Sequence, residues 1–173
     1  MFRELNEQLE KFIEEQVCRY DNNVPKGWKV LLNKTYINDL KISNPARSYI
    51  ILSPEALQYL QKLNYPGIIT SGAEGCHAKG LNSHYNGYKV DLQTIKGKEF
   101  NLEEYTNLAI VCMNNPLTDM INFEGFSKEQ YKAILTKIKE KLSEDEFNNY
   151  KGSFLNTYSP NHHLDIRIKR NSL

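Results

Sequence analysis

Six residues near the end of the chain, His163-Leu164-Asp165-Ile166-Arg167-Ile168, alternate strictly between polar and apolar. A period of two is the repeat of an extended strand, whose successive side chains point to opposite faces. Such a strand needs an apolar layer to receive Leu164, Ile166 and Ile168, and it gathers His163, Asp165 and Arg167 on the other face. His162 shares the parity of the apolar residues. Tyr88-Lys89-Val90-Asp91-Leu92 carries the same signature, with Val90 on one side and Asp91 on the other. Asp91 and His163 are therefore expected to project from the same polar face of one sheet.

Helix signals surround these strands. Ser53-Pro54-Glu55 reads as a helix start, with a Ser cap, Pro in the first turn and an acid beside it, and Leu57, Leu60 and Leu63 follow as one face. Ser127 with Gln130, and Ser143 with Glu146, have the spacing of capping boxes. Asn101 to Met113 has two readings: Asn101 with Glu104 looks like a helix start, while Leu108-Ala109-Ile110-Val111-Cys112 fits a strand, and the absence of a turn signal between the two parts favours helix. Ile68-Ile69-Thr70 is β-branched and reads as a buried strand. Phe2, Leu5, Leu9, Phe12, Ile13 and Val17 fall at helical spacing and predict an N-terminal helix over about 2–19. With no internal repeat and no linker, residues 1–173 read as one domain of the α+β class, a small antiparallel sheet packed with helices.

Composition narrows the functional classes. The 22 Lys+Arg and 21 Asp+Glu leave a net charge of +1, which argues against nucleic-acid binding through a broad basic face. No apolar run approaches the roughly 20 residues of a membrane span, and MFRELNEQLEKF lacks the apolar core of a signal peptide. The 3 cysteines are too few for a disulfide scaffold. Cys18 and Cys112 read as core residues, and Cys76 as a small packing or partly exposed residue.

The 4 histidines fall in two windows, His77 with His84 and His162 with His163. Imidazole and carboxylate are good zinc ligands, and a catalytic zinc takes three protein ligands with one open position. His84, Asp91 and His163 form such a set if the windows meet, with strand parity selecting His163 over His162. The plainer alternative is a solvated His–Asp pair and a solvated C-terminal pair of histidines. Asp165 has two readings of its own, as a partner that orients a ligand or as one side of a salt bridge with Lys89 or Arg167.

The run Ile69-Thr70-Ser71-Gly72, then Ser83-His84-x-x-Gly87-x-x-x-Asp91, then His163-Leu164-Asp165-Ile166-Arg167 resembles the zinc D-Ala-D-Ala carboxypeptidase family. That family includes bacterial cell-wall carboxypeptidases, van-type dipeptidases and phage L-alanoyl-D-glutamate endolysins. The stretch His84-Tyr85-Asn86-Gly87-Tyr88-Lys89-Val90-Asp91 is also similar to the Hedgehog signalling domain, which shares the zinc fold. The resemblance runs in order over about residues 69–168. It implies a Hedgehog-type zinc fold with Zn²⁺ held by His84, Asp91 and His163. It further implies hydrolysis of stem peptides of peptidoglycan by a phage or bacterial lysin, made in the cytoplasm and acting at the wall, without nucleic acid or membrane insertion.

Two departures stand out. Where many members carry an Arg soon after T-S-G, this chain has Ala73-Glu74-Gly75, and neither Arg47 nor Arg167 is at the family position. That favours cleavage inside a peptide. The positions of the family's general base hold Pro160 and Asn161, so His162, His77 and Glu74 are the candidates for proton transfer, with His77 or His162 as an oxyanion donor. The missing base is also what a non-enzymatic zinc-binding interaction domain of a phage structural protein would have, and a third reading is an interaction domain without metal.

Overall fold

The computed structural model describes residues 16–78 and 80–170. The chain runs through β1 (Gln16–Arg19), β2 (Lys29–Leu32), β3 (Tyr36–Ile37), β4 (Leu40–Ile42) and β5 (Tyr49–Leu52) into helix α1 (Pro54–Gln61). Then come β6 (Gly67–Ser71), β7 (Gly75–Ala78), β8 (Lys89–Gln93), α2 (Leu102–Asn114), β9 (Thr118–Glu124), α3 (Lys128–Lys141), α4 (Glu144–Asn149), β10 (Ser153–Thr157) and β11 (His163–Ile168). The class is α+β, but the sheet is neither small nor purely antiparallel. Seven strands lie in the order β10-β9-β11-β8-β6-β4-β3. The β4–β6 and β9–β10 pairs are parallel. Each parallel pair is joined by a helical crossover, which an alternating pattern cannot reveal because it reports faces and not strand order.

The helices form where their caps dictate. Ser53 accepts from the Ala56 amide and starts α1. Asn101 does the same for α2 through Glu104. Ser127 and Ser143 close reciprocal capping boxes with Gln130 and Glu146. Their buried faces, including Tyr59, Leu60, Tyr105, Leu108, Ile134 and Ile138, meet the apolar side of the sheet at Ile69, Val90, Leu92, Phe123, Leu164 and Ile166. Cys112 is buried in this core, as its apolar setting predicts. With helices claiming that face, Asp91 and the polar residues of β11 are left on the other.

The N-terminal expectation fails where it can be tested. Residues 2–15 of the expected helix lie outside the described residues, and Gln16–Arg19 form strand β1. It pairs antiparallel with β7 in the register Val17↔His77 and Cys18↔Cys76. Cys18 is an exposed strand residue and not the core residue its context suggested, and it is disulfide-bonded to Cys76, which is exposed, the second of its two readings. That bond and the ladder outweigh the helical spacing of a single residue, Val17.

Ile166 is fully buried at the middle of the sheet. Ile166→Ala is expected to destabilise the protein by about 3 kcal/mol. Ser127→Ala, which removes a cap far from the polar face, is expected to cost about 1 kcal/mol. Denaturant unfolding of the two variants checks both values and their order.

Candidate metal centre

β8 and β11 are antiparallel neighbours, and their register sets Asp165 directly across from Asp91. Like charges directly opposite on a sheet repel, so this pair requires a cation. The cation that faces both carboxylates is His84, in the turn before β8. Its Nδ1–H donates to the Gly72 carbonyl at 3.0 Å, which turns Nε2 toward the carboxylates, 3.4 Å from Asp91 Oδ1 and 3.5 Å from Asp165 Oδ1. Lys89 Nζ takes the other Asp165 oxygen at 3.0 Å.

The turn that delivers His84 is built around Gly87. Gly87 has φ +80°, and a side chain there would overlap Ser53. The Ser53 hydroxyl donates to the Gly87 carbonyl at 2.7 Å while capping α1. The glycine is thus needed both for its left-handed backbone and for the close approach.

Asp91 Oδ1 and Asp165 Oδ1 are buried and lack a hydrogen-bond partner. With His84 Nε2 they lie within 4.8 Å of one another, and the His84, Asp91 and Asp165 group can hold a metal ion. Two orphaned carboxylate oxygens aimed at one imidazole nitrogen fit a divalent cation, because each has an unused lone pair and burial raises the cost of leaving it so. Burial alone would discharge His84, but Asp91 and then Asp165 outweigh it and hold the imidazole well above its ordinary range. Asp165 is held well below the usual carboxylate range by His84 and Lys89, against its burial. Both readings of Asp165 are therefore present in one side chain, a bridge to Lys89 and a contact with His84.

His163 is on the same face and reaches the same Asp91 oxygen, Nε2 to Oδ1 3.8 Å. The three sequence-selected ligands thus gather around Asp91. The tightest group, however, contains Asp165 in place of His163, because the His163 ring is drawn to Glu124. Nδ1–H donates to the Asn161 carbonyl at 3.1 Å, and Nε2 meets Glu124 Oε2 at 2.9 Å. Both ring nitrogens then carry protons, and Glu124 and Asp91 raise His163 to about 9 against the effect of its burial. Glu124 escaped sequence reasoning: it ends β9, opposite His163 in register, and the alternation of polar Asn122 and Glu124 around Phe123 was the available signal.

His77 stacks on His84, ring centroids 4.8 Å apart, and its Nε2–H donates to the Glu74 carbonyl at 2.8 Å. Burial, then the His84 charge, lowers its pKa. His162 is not brought to the cluster. It immediately precedes β11 with the parity of that strand's apolar residues, and its ring packs against Phe126 and Phe100, at 4.9 and 5.8 Å, which corrects its candidacy for proton transfer. Glu74 is occupied by the T-S-G turn, accepting from the Gly72 and Ile51 amides and from Ser71 and Asn44. Arg167 pairs with Asp119.

A cavity of about 500 Å³ opens on the polar face of the sheet, and Arg47, His77, Asp91, Lys98, Asn161 and His163 are among its lining residues. No helix among the described residues is long and apolar enough to cross a membrane. Comparison with models of protein families and with curated proteins gives no match for the chain.

The His163 charge sets a pH dependence. A pKa raised from 6.5 to about 9 contributes stability that is complete below about pH 6.5 and is lost as pH rises through 9. His84 acts in the same direction. With chelator present, the thermal midpoint is expected to fall between pH 6.5 and 9, and Glu124→Gln is expected to flatten that fall. Thermal melts across the range check it.

Proposed function

We propose that the chain is a zinc-dependent peptidase that hydrolyses stem peptides of bacterial peptidoglycan, a lysin of phage or bacterial origin. The observation that carries this reading is the convergence of two orphaned carboxylate oxygens and His84 Nε2 beside the cleft, on the residues whose order resembles the carboxypeptidase family. His84 and Asp91 would hold the zinc, with His163 or Asp165 as the third ligand. A bound zinc would polarise the scissile carbonyl and lower the pKa of a water toward ~7.

The chain's own residues supply the rest. Glu124 is the carboxylate beside His163, with Oε1 accepting from Asn122 Nδ2 at 3.1 Å. It stands in for the acid missing at Pro160 and Asn161: Oε2 takes a proton from the attacking water and returns it to the leaving amine. For His163 to become a ligand its Nε2 proton must be released to solvent, which frees the Glu124 Oε2 now in contact with it to act as the base. His77 has Nε2 committed to Glu74 and is left with Nδ1. Arg47, on the cleft wall, offers a guanidinium to a substrate carbonyl or carboxylate.

The same donors support a second reading. If His84, Asp91, His163 and Asp165 all bind, four protein ligands close the site, as in structural zinc centres, and the domain is a non-enzymatic interaction module. The Lys89 bridge to Asp165 favours three ligands and an open position.

Protein prepared without added zinc is expected to contain one zinc per chain and to release free amines from purified cell walls without new reducing ends. Chelator is expected to abolish this, as is His84→Ala, while Glu124→Gln keeps the zinc and loses at least 100-fold in rate. Metal analysis and end-group assays decide between the readings. Zinc without wall cleavage would leave the closed, non-enzymatic centre, and no zinc would exclude both.

A further inference from the structure

Arg19 is a buried cation at the end of β1, and among the described residues its polar contacts are backbone carbonyls. Nε and Nη2 both donate to the Tyr85 carbonyl, at 3.2 and 3.1 Å, and Nη1 donates to the Asn23 carbonyl at 3.0 Å. The guanidinium lies against the rings of Tyr85 and Trp28, 4.1 and 4.5 Å from their centroids. Tyr85 is the residue after His84, so this two-pronged grip fixes the backbone of the turn that aims the imidazole. A planar fork between two aromatic faces is a geometry that Lys cannot reproduce.

The strand that carries Arg19 is short. β1 is four residues long, and its strand partner among the described residues is β7. A two-stranded ribbon of that length is marginal alone. The Cys18–Cys76 bridge crosslinks it one residue from Arg19 on one strand and one residue from His77 on the other. The ribbon therefore reaches His84 twice, through Arg19 at the Tyr85 carbonyl and through the stacked ring of His77. Cys18 and Cys76 are both exposed, and exposed bridges are open to thiol attack.

We propose that Arg19 is a positioning residue for the His84 turn, and that the Cys18–Cys76 bridge is a redox latch that keeps Arg19 seated. Opening the latch is a thiol–disulfide exchange. A dithiol reductant attacks one sulfur as thiolate to give a mixed disulfide, and its second thiol displaces the protein. Two electrons and two protons pass to Cys18 and Cys76 as thiols, and the reductant leaves as its own cyclic disulfide. The freed ribbon then loses its hold on Tyr85, and the His84 imidazole is aimed by its Gly72 contact on a loosened turn. Only the consequence for zinc rests on the metal-site reading above.

The test is residue-resolved hydrogen exchange on the full chain, comparing oxidised protein, protein reduced with dithiothreitol, Cys18→Ser/Cys76→Ser and Arg19→Lys. The reporting amides are Gly87 and Tyr88, which donate to the His84 and Ser83 carbonyls. Reduction, the serine pair and Arg19→Lys are each expected to speed their exchange at least tenfold, while the amides of Leu108–Cys112 in α2 stay unchanged. Unchanged exchange at Gly87 and Tyr88 in Arg19→Lys would overturn the positioning role. Unchanged exchange in both the reduced protein and the serine pair would overturn the latch. Zinc titration of the oxidised protein, the serine pair and Arg19→Lys gives a second readout, with affinity expected to fall at least tenfold in both variants. Absence of zinc binding to the oxidised protein would count against the peptidase reading, and the exchange comparison would still decide this one.

Discussion

Two carboxylates, Asp91 and Asp165, face each other across neighbouring strands, and much of the polar side of the molecule follows from the need to separate or neutralise them. The sheet cannot relieve the conflict by slipping one residue. That would drive Val90, Leu92, Leu164 and Ile166 out of the core and the acids into it. The apolar face thus locks the acids together, and positive charge has to come from elsewhere in the chain. Lys89 supplies one charge from the same strand as Asp91. His84 supplies another, from a turn tethered to Gly72, to Ser53 through Gly87, and to Arg19 through Tyr85. Neither arrangement satisfies Oδ1 of Asp91 or of Asp165.

That residual demand gives the proposed zinc its physical basis. A divalent ion would replace the proton on His84 and use both free oxygens, turning an electrostatic liability into a binding site. His163 and Glu124 form a second ion pair at the edge of the same cluster, 2.9 Å apart. An imidazole and a carboxylate in this contact suit the parting roles proposed for them, one toward a metal and the other toward a reacting water. The bridge between Cys18 and Cys76 adds a constraint of a different kind, holding the His84 turn through its backbone. Such a bridge persists in oxidising surroundings, which accords with a protein proposed to act on a cell wall.

How much of this was legible in the sequence follows from what each signal encodes. Period-two alternation placed Asp91 and His163 on one polar face and sent His162 toward the core, because side-chain parity is local. Serine caps with glutamate or glutamine three residues on marked the starts of α3 and α4, since capping is local as well. Register is not local. Nothing in the spacing showed that Asp165 would oppose Asp91 more closely than His163 does, or that Glu124 would face His163. The pairing of Cys18 with Cys76 spans 58 residues, and it turned part of an expected helix into a strand. The parallel pairs β4–β6 and β9–β10 depend on crossovers through helices, which alternation does not describe.

The central claim is that Asp91, Asp165 and His84 converge to hold a divalent cation. Anomalous diffraction at the zinc absorption edge, from crystals of protein equilibrated with zinc, tests it most directly. The account predicts one peak per chain at about 2.0–2.2 Å from His84 Nε2 and an Asp91 carboxylate oxygen. Crystals equilibrated with zinc that show no peak between these residues, with the His84 ring still directed at both carboxylates, would contradict it.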